Sequence, residues 1–318
     1  MNLFLVRIIL ATALLIEFPV APVTQHPDPS GSSVAVARFL TVNPRAGDYW
    51  PCFSPDGKTV LFSRTTDGGK TWELFVVPAS GGEAHRLMDS PLAVSATRVD
   101  WSRHNNLIAF TGESPDGTAT IWLINPDGTK PRQLPLAGLS PHLFYPSWYP
   151  DGESLAVMDV AEHVIKRIDL RSGAAVTVTN RAQVLSGMPR VSPDGQWIAF
   201  AGQKNNGQAY DQRRNSIWLV SNTGELRSLE PIPGQGRTPS WSPDGQWLAF
   251  ESNRASPNQL YAVFIINQNG TGLRRVTPYE LDANHPVWSP DAKHLVFYAR
   301  NAKEKQATGI AIMDIAKP

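Results

Sequence analysis

The chain has 318 residues, 42% of them hydrophobic and only 18% charged, with a formal net charge of +1 and one cysteine. That balance gives no electrostatic footprint for nucleic acid or an anionic membrane surface. A single cysteine excludes an internal disulfide and any cysteine-based zinc cluster. Cys52 has no activating neighbour in sequence and reads as a buried, inert thiol. With 24 glycines and 27 prolines, turns are frequent.

At the N-terminus one arginine precedes an apolar run at residues 8–16. The run is too short to span a bilayer and suits the core of a signal peptide. The expectation is a signal peptide over residues 1–21 and a periplasmic or secreted protein; an uncleaved N-terminal anchor is the alternative. Residues 22–32, "PVTQHPDPSGS", read as a flexible leader, and residues 33–318 as one repeat domain.

The repeat is anchored on an aspartate: Asp56 in "FSPDG", Asp151 in "WYPDG", Asp194 in "VSPDG", Asp244 in "WSPDG" and Asp291 in "WSPDA". A degenerate copy, "WSRHN", puts His104 at the same place. The steps are 48, 47, 43, 50 and 47 residues, near the period of a four-stranded propeller blade. Ser-Pro-Asp-Gly suits a type I turn, with Pro presetting φ at the second position and Gly at the fourth. A short strand before the turn carries Phe53, Trp101, Trp148, Val191, Trp241 or Trp288. The strand after it buries alternate residues, Val60 and Phe62 in the first copy and Leu248 and Phe250 in the fifth, with small residues such as Ala109, Ala156, Ala199 and Ala249 between.

A third strand recurs as "LFVVP", "IWLIN", "IKRID", "IWLVS", "VFIIN" and "IAIMD", and a fourth as "EAHRLM", "KPRQLP", "ELRSLE" and "GLRRVT". The last copy lacks its fourth strand, while "VARFLT" near the start reads like one. The predicted fold is all-β: a six-bladed β-propeller of four-stranded blades, closed by the N-terminal strand (about residues 33–42) completing the last blade. Closure removes an exposed edge.

These residues resemble the propeller repeat of the TolB family, the Pro-Asp-rich, WD-like repeat. The pattern P-x-W-S-P-D-G-x-x-[ILV]-[AV]-F is met at residues 239–250 and closely at 286–297, and the resemblance covers residues 33–315. It implies a periplasmic, non-enzymatic propeller that binds a partner over one mouth of its channel, as TolB binds the Pal lipoprotein. The likeness is confined to TolB's propeller, so the role of its additional α/β domain is not implied. The same repeat also caps prolyl-oligopeptidase-type peptidases, whose hydrolase domain this chain is not expected to hold.

Motifs for chemistry are sparse. There is no G-x-S-x-G elbow and no H-E-x-x-H pair. "PGQGRTPS" lacks a following helix, so it does not read as a phosphate loop. "TTDGGKTW" (65–72) matches an Asp-box, which fastens a hairpin, and "NGT" (269–271) has the form of a glycosylation sequon set in a tight turn. The repeat aspartates read as turn-makers.

Function on a propeller lives in loops on one face. The SPDG and NPDG turns share one face and are uniform, so the variable face opposite is the candidate. There the residues before each inner strand should ring the channel mouth: Tyr49, Trp50, Arg98, Phe144, Tyr145, Met188, Arg237, Asn284 and His285, alternating with Thr97, Gly187 and Thr238. Aromatics and arginine are the types that dominate protein contact energy. Leu92, Leu139, Leu185 and Ile232 are expected as an apolar rim, and a long loop at 201–215 supplies Lys204, Tyr210, Arg213 and Arg214. The competing reading is that these side chains plug the channel and pack. His142 and His285 read as hydrogen-bonding groups more than as a metal pair, and no cofactor is expected.

The sequence thus points to a monomeric, exported scaffold that binds a protein or another cell-envelope component, with no nucleic acid and no stable membrane insertion after signal cleavage. On that reading Arg237→Ala or Tyr145→Ala weakens partner capture without lowering thermal stability. The alternative is a propeller enzyme acting on polysaccharide, of lyase or hydrolase type, with a His-containing channel site at His285, as in oligogalacturonate lyases.

Overall fold

The computed structural model describes residues 37–43, 47–66, 71–88, 93–94, 98–113, 118–134, 140, 142–229, 235–301 and 308–316. Its regular elements are strands, apart from two 3-10 turns at Gln212–Arg214 and Tyr279–Leu281. The strands form six antiparallel sheets, the six blades of a propeller. Inner to outer, blade 1 is Asp48–Phe53, Thr59–Thr66, Thr71–Pro78 and His85–Arg86. Blade 2 has an inner strand in two pieces, Ala93–Val94 and Asp100–Trp101, then Ile108–Glu113, Ala119–Ile124 and Arg132–Gln133. Blade 3 is Leu143–Trp148, Ser154–Asp159, Val164–Asp169 and Ala175–Thr177; blade 4 is Val184–Val191, Trp197–Lys204, Ser216–Ser221 and Leu226–Ser228. Blade 5 is Arg237–Trp241, Trp247–Ser252, Ala262–Asn267 and Arg274–Arg275. Blade 6 is Asn284–Trp288, His294–Arg300 and Thr308–Asp314, and its outer strand is Arg38–Phe39, paired with Ile312 and Ala311. The predicted closure is therefore present. It is reinforced by Leu40 N donating to Ile310 O (2.7 Å) and Ile310 N to Thr41 Oγ1 (2.9 Å).

The repeated turn works by local hydrogen bonding. In blade 5, Ser242 Oγ donates to Asp244 Oδ1 (2.6 Å) and accepts from Trp247 N (2.9 Å), while Asp244 Oδ1 also accepts from Gln246 N (3.0 Å). The same set recurs at Ser54–Asp56, Ser192–Asp194 and Ser289–Asp291. At Asp56 and Asp291 the serine hydrogen bond holds the carboxyl below its usual range. Glycine at the fourth position serves two ends. It takes a left-handed φ, 71° at Gly195, and it lets the turn approach the previous blade: a Cβ there would lie 3.0 Å from Pro150 Cγ. The turn is thus also a blade-to-blade contact. The Asp-box pairs Thr65 with Trp72 in a hairpin, as expected; Asp67 lies outside the described residues. In the sequon-like turn, Asn269 Oδ1 is occupied by Thr271 N and Oγ1.

Between blades the core is apolar. Phe62, Phe110, Phe200, Phe250 and Phe297 are fully buried, as are the small residues Ala109, Ala156, Ala199 and Ala249. One cluster joins Leu61 and Leu74 of blade 1 to Ile108 and Phe110 of blade 2 across the blade interface.

One device was not read from the sequence. In five inner strands two residues oppose one on the second strand: Trp50–Pro51 against Phe62, Tyr145–Pro146 against Val157, Met188–Pro189 against Phe200, Thr238–Pro239 against Phe250, and His285–Pro286 against Phe297. These are β-bulges, and proline is tolerated there because the extra residue makes no ladder bond. The residue before each proline has φ between 51° and 57°. Blade 2 carries Arg98–Val99 instead.

Ala292 stands where four turns have glycine and still adopts φ 60°. A left-handed alanine costs about 1–2 kcal/mol. Ala292→Gly is expected to raise the melting temperature by ~2 °C or more, measured by scanning calorimetry.

Candidate functional site

The bulges aim side chains at the loop end of the channel, where they meet. Trp50 of blade 1 stacks on His285 of blade 6 (centroids 3.6 Å, 18°) and reaches Tyr145 of blade 3 (5.6 Å). Tyr49 stacks on Tyr298 (4.6 Å) and lies against Trp72 (5.6 Å). Trp50 is buried, and Tyr49, Phe144, Tyr145, Met188, Asn284 and His285 are half-buried. The mouth is thus an aromatic plug with a partly exposed surface.

Beneath it sits a carboxylate the sequence reading passed over. Glu251 is 1% exposed. It pairs with Arg237 (2.9 Å) and accepts from Thr238 Oγ1 (2.8 Å) and His285 N (2.6 Å). Burial pushes the Glu251 pKa up, but Arg237 and these donors outweigh it and hold the group below its usual range. Arg237 also lies over the Tyr261 ring at 4.3 Å. The signal was present in sequence: the aligned positions in the other blades are Ser63, Thr111, Met158, Ala201 and Tyr298.

The long connection differs from expectation at its start. Residues 201–204 continue the second strand of blade 4, pairing with Ile217 and Ser216, so Lys204 ends a strand and the loop runs over 205–215. Gln203 holds it down, accepting from Asp211 N (2.7 Å) and donating to Ala209 O (3.2 Å). Tyr210 is tucked against His163 (4.6 Å) and accepts from Asn215 Nδ2 (2.9 Å). Arg213 and Arg214 fold onto Asp211, and the Arg213 side chain remains 77% exposed. Gln212 Oε1 accepts from Arg237 Nη1 (3.4 Å), linking loop and mouth. Leu185 is buried rather than on a rim, and Leu92, Thr97, Leu139 and Ile232 lie outside the described residues. His142 is exposed, whereas His285 is locked in the plug. Among the described residues no group of three or more His, Cys, Asp or Glu is placed to hold a metal ion, and no helix is long and apolar enough to cross a membrane. Cys52 is buried, and burial and then Asp100 push its thiol up to about 11.

Two consequences follow from the buried charges. Removing Arg237 strands the Glu251 carboxylate, so Arg237→Ala is expected to lose about 3–5 kcal/mol in denaturant unfolding, where the sequence reading expects a stability-neutral change. His285 behaves differently. Burial, with Arg237 and Arg98 adding to it and Glu251 opposing, pushes its pKa down to about 4. The unfolded chain takes up this proton near 6.5 and the folded chain only near 4. Stability therefore falls as pH drops below 6.5, by at most ~1.4 kcal/mol per unit. Melting temperatures at pH 7.5, 6 and 5 should fall less steeply for His285→Gln than for the wild type.

Comparison with known proteins fits this architecture. The model of the TolB beta propeller domain matches residues 33–209 and 140–318. A TolB candidate from Agrobacterium tumefaciens superposes with a TM-score of 0.65 at 20% identity, over 88% of this chain and 94% of that one. An oligogalacturonate lyase from Vibrio parahaemolyticus superposes at 0.56 and 12% identity, over 89% and 94%. At these identities the likeness is one of fold. The uncharacterized peptidase YuxL of Bacillus subtilis is 28% identical over 151 residues, 48% of this chain and 21% of that protein. The chain thus spans about a fifth of that curated relative's length.

Proposed function

The chain belongs to the TolB beta propeller domain family, and we propose that it is an exported binding module of the cell envelope, with a protein partner docked over the loop end of its channel. The observation that carries this reading is the concentration of half-buried Phe144, Tyr145, Met188, Asn284 and His285 beside Arg237 and the 205–215 loop. Aromatic and arginine side chains held rigidly by their neighbours lose little entropy when a partner covers them. The face opposite carries the repeated turns, four of which already hold their serine and aspartate side chains in local hydrogen bonds. Catalysis at the mouth is the weaker reading, because His285 is held flat against Trp50 with its backbone N bound to Glu251.

The test is capture from envelope extract with the chain from residue 22 to 318. Phe144→Ala and Arg213→Ala are expected to reduce recovery of the captured protein ~10-fold. Lys58→Ala and Lys293→Ala, in the turns opposite, should leave it unchanged. Equal recovery by all four variants overturns the assignment of the face.

A further inference from the structure

Two Asn-Gly pairs occur in the chain, Asn206–Gly207 and Asn269–Gly270. Asparagine is a chemically labile residue. Before glycine it is open to attack on its side chain by the next backbone nitrogen, because glycine has no Cβ to obstruct the five-membered ring that forms. Both asparagines are exposed. The fold treats the two attacking nitrogens differently.

Asn269–Gly270 lies in the turn between Ala262–Asn267 and Arg274–Arg275 of blade 5. Gly270 N donates to Asn267 O (2.8 Å), and Asn267 N donates across the turn to Thr271 O (2.8 Å). The Asn269 amide oxygen accepts from Thr271 N (2.9 Å) and Thr271 Oγ1 (2.7 Å). A Cβ on Gly270 would lie 3.3 Å from Leu229 O, so the end of blade 4 stands against this turn. The turn must open before the Gly270 nitrogen can reach the side-chain carbon of Asn269.

Asn206–Gly207 sits in the 205–215 loop. Gly207 N donates to a side-chain oxygen, Asn205 Oδ1 (3.0 Å), and to no turn carbonyl. Asn206 Oδ1 accepts from Gln208 N at 3.3 Å, longer than either bond to Asn269 Oδ1. Gly207 has φ 81°, and no atom lies within 4 Å of a Cβ placed on it. The anchors of the loop lie to either side: Lys204 ends the second strand, and Gln203 bonds Ala209 O and Asp211 N. Rearrangement at 206–207 therefore breaks side-chain bonds and no ladder bond.

We propose that Asn206 is a site of spontaneous deamidation in the folded protein and that Asn269 is protected. The Gly207 nitrogen gives its proton to hydroxide and attacks Asn206 Cγ. The new N–Cγ bond closes a succinimide ring. The Cγ–Nδ2 bond breaks and the nitrogen leaves as ammonia, taking a proton from water and restoring hydroxide. Water then adds to one of the two ring carbonyls. Breaking the N–Cγ bond gives an aspartyl residue at 206; breaking the bond to the main-chain carbonyl carbon gives an isoaspartyl residue. Either product turns an amide into a carboxylate, which cancels the formal net charge of +1. The new charge arises in the loop that follows Lys204 and carries Arg213 and Arg214, two residues from Gln208, whose amide oxygen takes the Arg214 guanidinium. This chemistry does not depend on the partner reading.

The test is incubation of the folded protein in heavy-oxygen water at pH 8 and at pH 6, then tryptic digestion in ordinary water and mass spectrometry. Residues 205–213 and 255–274 form separate tryptic peptides, each with one Asn-Gly pair. Fragment ions locate the label. It should enter at 206 ~10-fold faster than at 269, the factor that one turn hydrogen bond imposes when it must open first. Conversion should be faster at pH 8 than at pH 6, because the attacking nitrogen must lose its proton. In concentrated guanidinium chloride the two sites should convert at similar rates. Asn206→Gln should abolish labelling of the 205–213 peptide, which excludes Asn205 as the source. No label at 206, conversion at 269 as fast as at 206 in the folded protein, a difference that survives denaturation, a rate independent of pH, or labelling that persists in Asn206→Gln each overturns the proposal.

Discussion

The left-handed residue followed by proline is the constraint on which the inner strands depend. Such a residue is unfavourable twice over, for its positive φ and for its place before proline. It persists in five blades because the bulge it makes resolves a problem of geometry. A straight inner strand would present its side chains alternately to the two neighbouring blades. With one extra residue the strand rotates, sending Trp50, Tyr145, Met188, Thr238 and His285 to the mouth and setting the later positions for the channel wall. There Asp100, Ser147 and Ser240 each reach the backbone amide of the next blade. In blades 3 and 5 the strain at Tyr145 and Thr238 is thus offset by hydrogen bonds between blades, and Asp100 makes the equivalent bond from blade 2 without a left-handed residue.

The same geometry places ionic groups where water is scarce, and the chain handles them unequally. Glu251 is matched by Arg237 and two further donors. Asp100 is matched by Arg190, Trp148 N and Cys52. In both clusters the acid is over-satisfied and serves blade-to-blade order as much as stability. For Arg237 this changes the meaning of its partial exposure. An arginine at a mouth reads from sequence as a contact residue, but here its Nη2 is bound to Glu251 and its guanidinium lies over Tyr261.

What was legible in the sequence is what is written locally. The Ser-Pro-Asp-Gly turn forms from bonds spanning two to five residues, so its residues announce it. Alternation in the second strand marks Phe200 and Phe250 as buried for the same reason. The closing strand was legible because "VARFLT" keeps the pattern of a fourth strand although its partner is far away. What was missed depends on registers between strands. Nothing local in "YWPCF" or "HPVW" says that the residue before proline turns left-handed. Nor does any nearby residue say that Asp100 meets Arg190, 90 positions on. Aligning the six copies would have exposed Asp100, Arg190 and Glu251 as charges at positions where the other copies hold uncharged residues. That is a signal of place, with the partner still unnamed. The length of the 205–215 loop was misjudged because "AGQK" is compatible with either a strand or a connection, and only pairing with Ser216 and Ile217 decides.

The ring closure has a consequence for the making of the molecule. Thr41 and Ile310 bond across 269 residues of chain, so at ordinary rates of synthesis Thr41 exists for roughly ten to fifty seconds before its partner does. Throughout that interval the first and last blades cannot meet, and any blades already formed present raw strand edges to whatever else is in solution. A chaperone that keeps the early strands apart until the last one arrives would act within that interval.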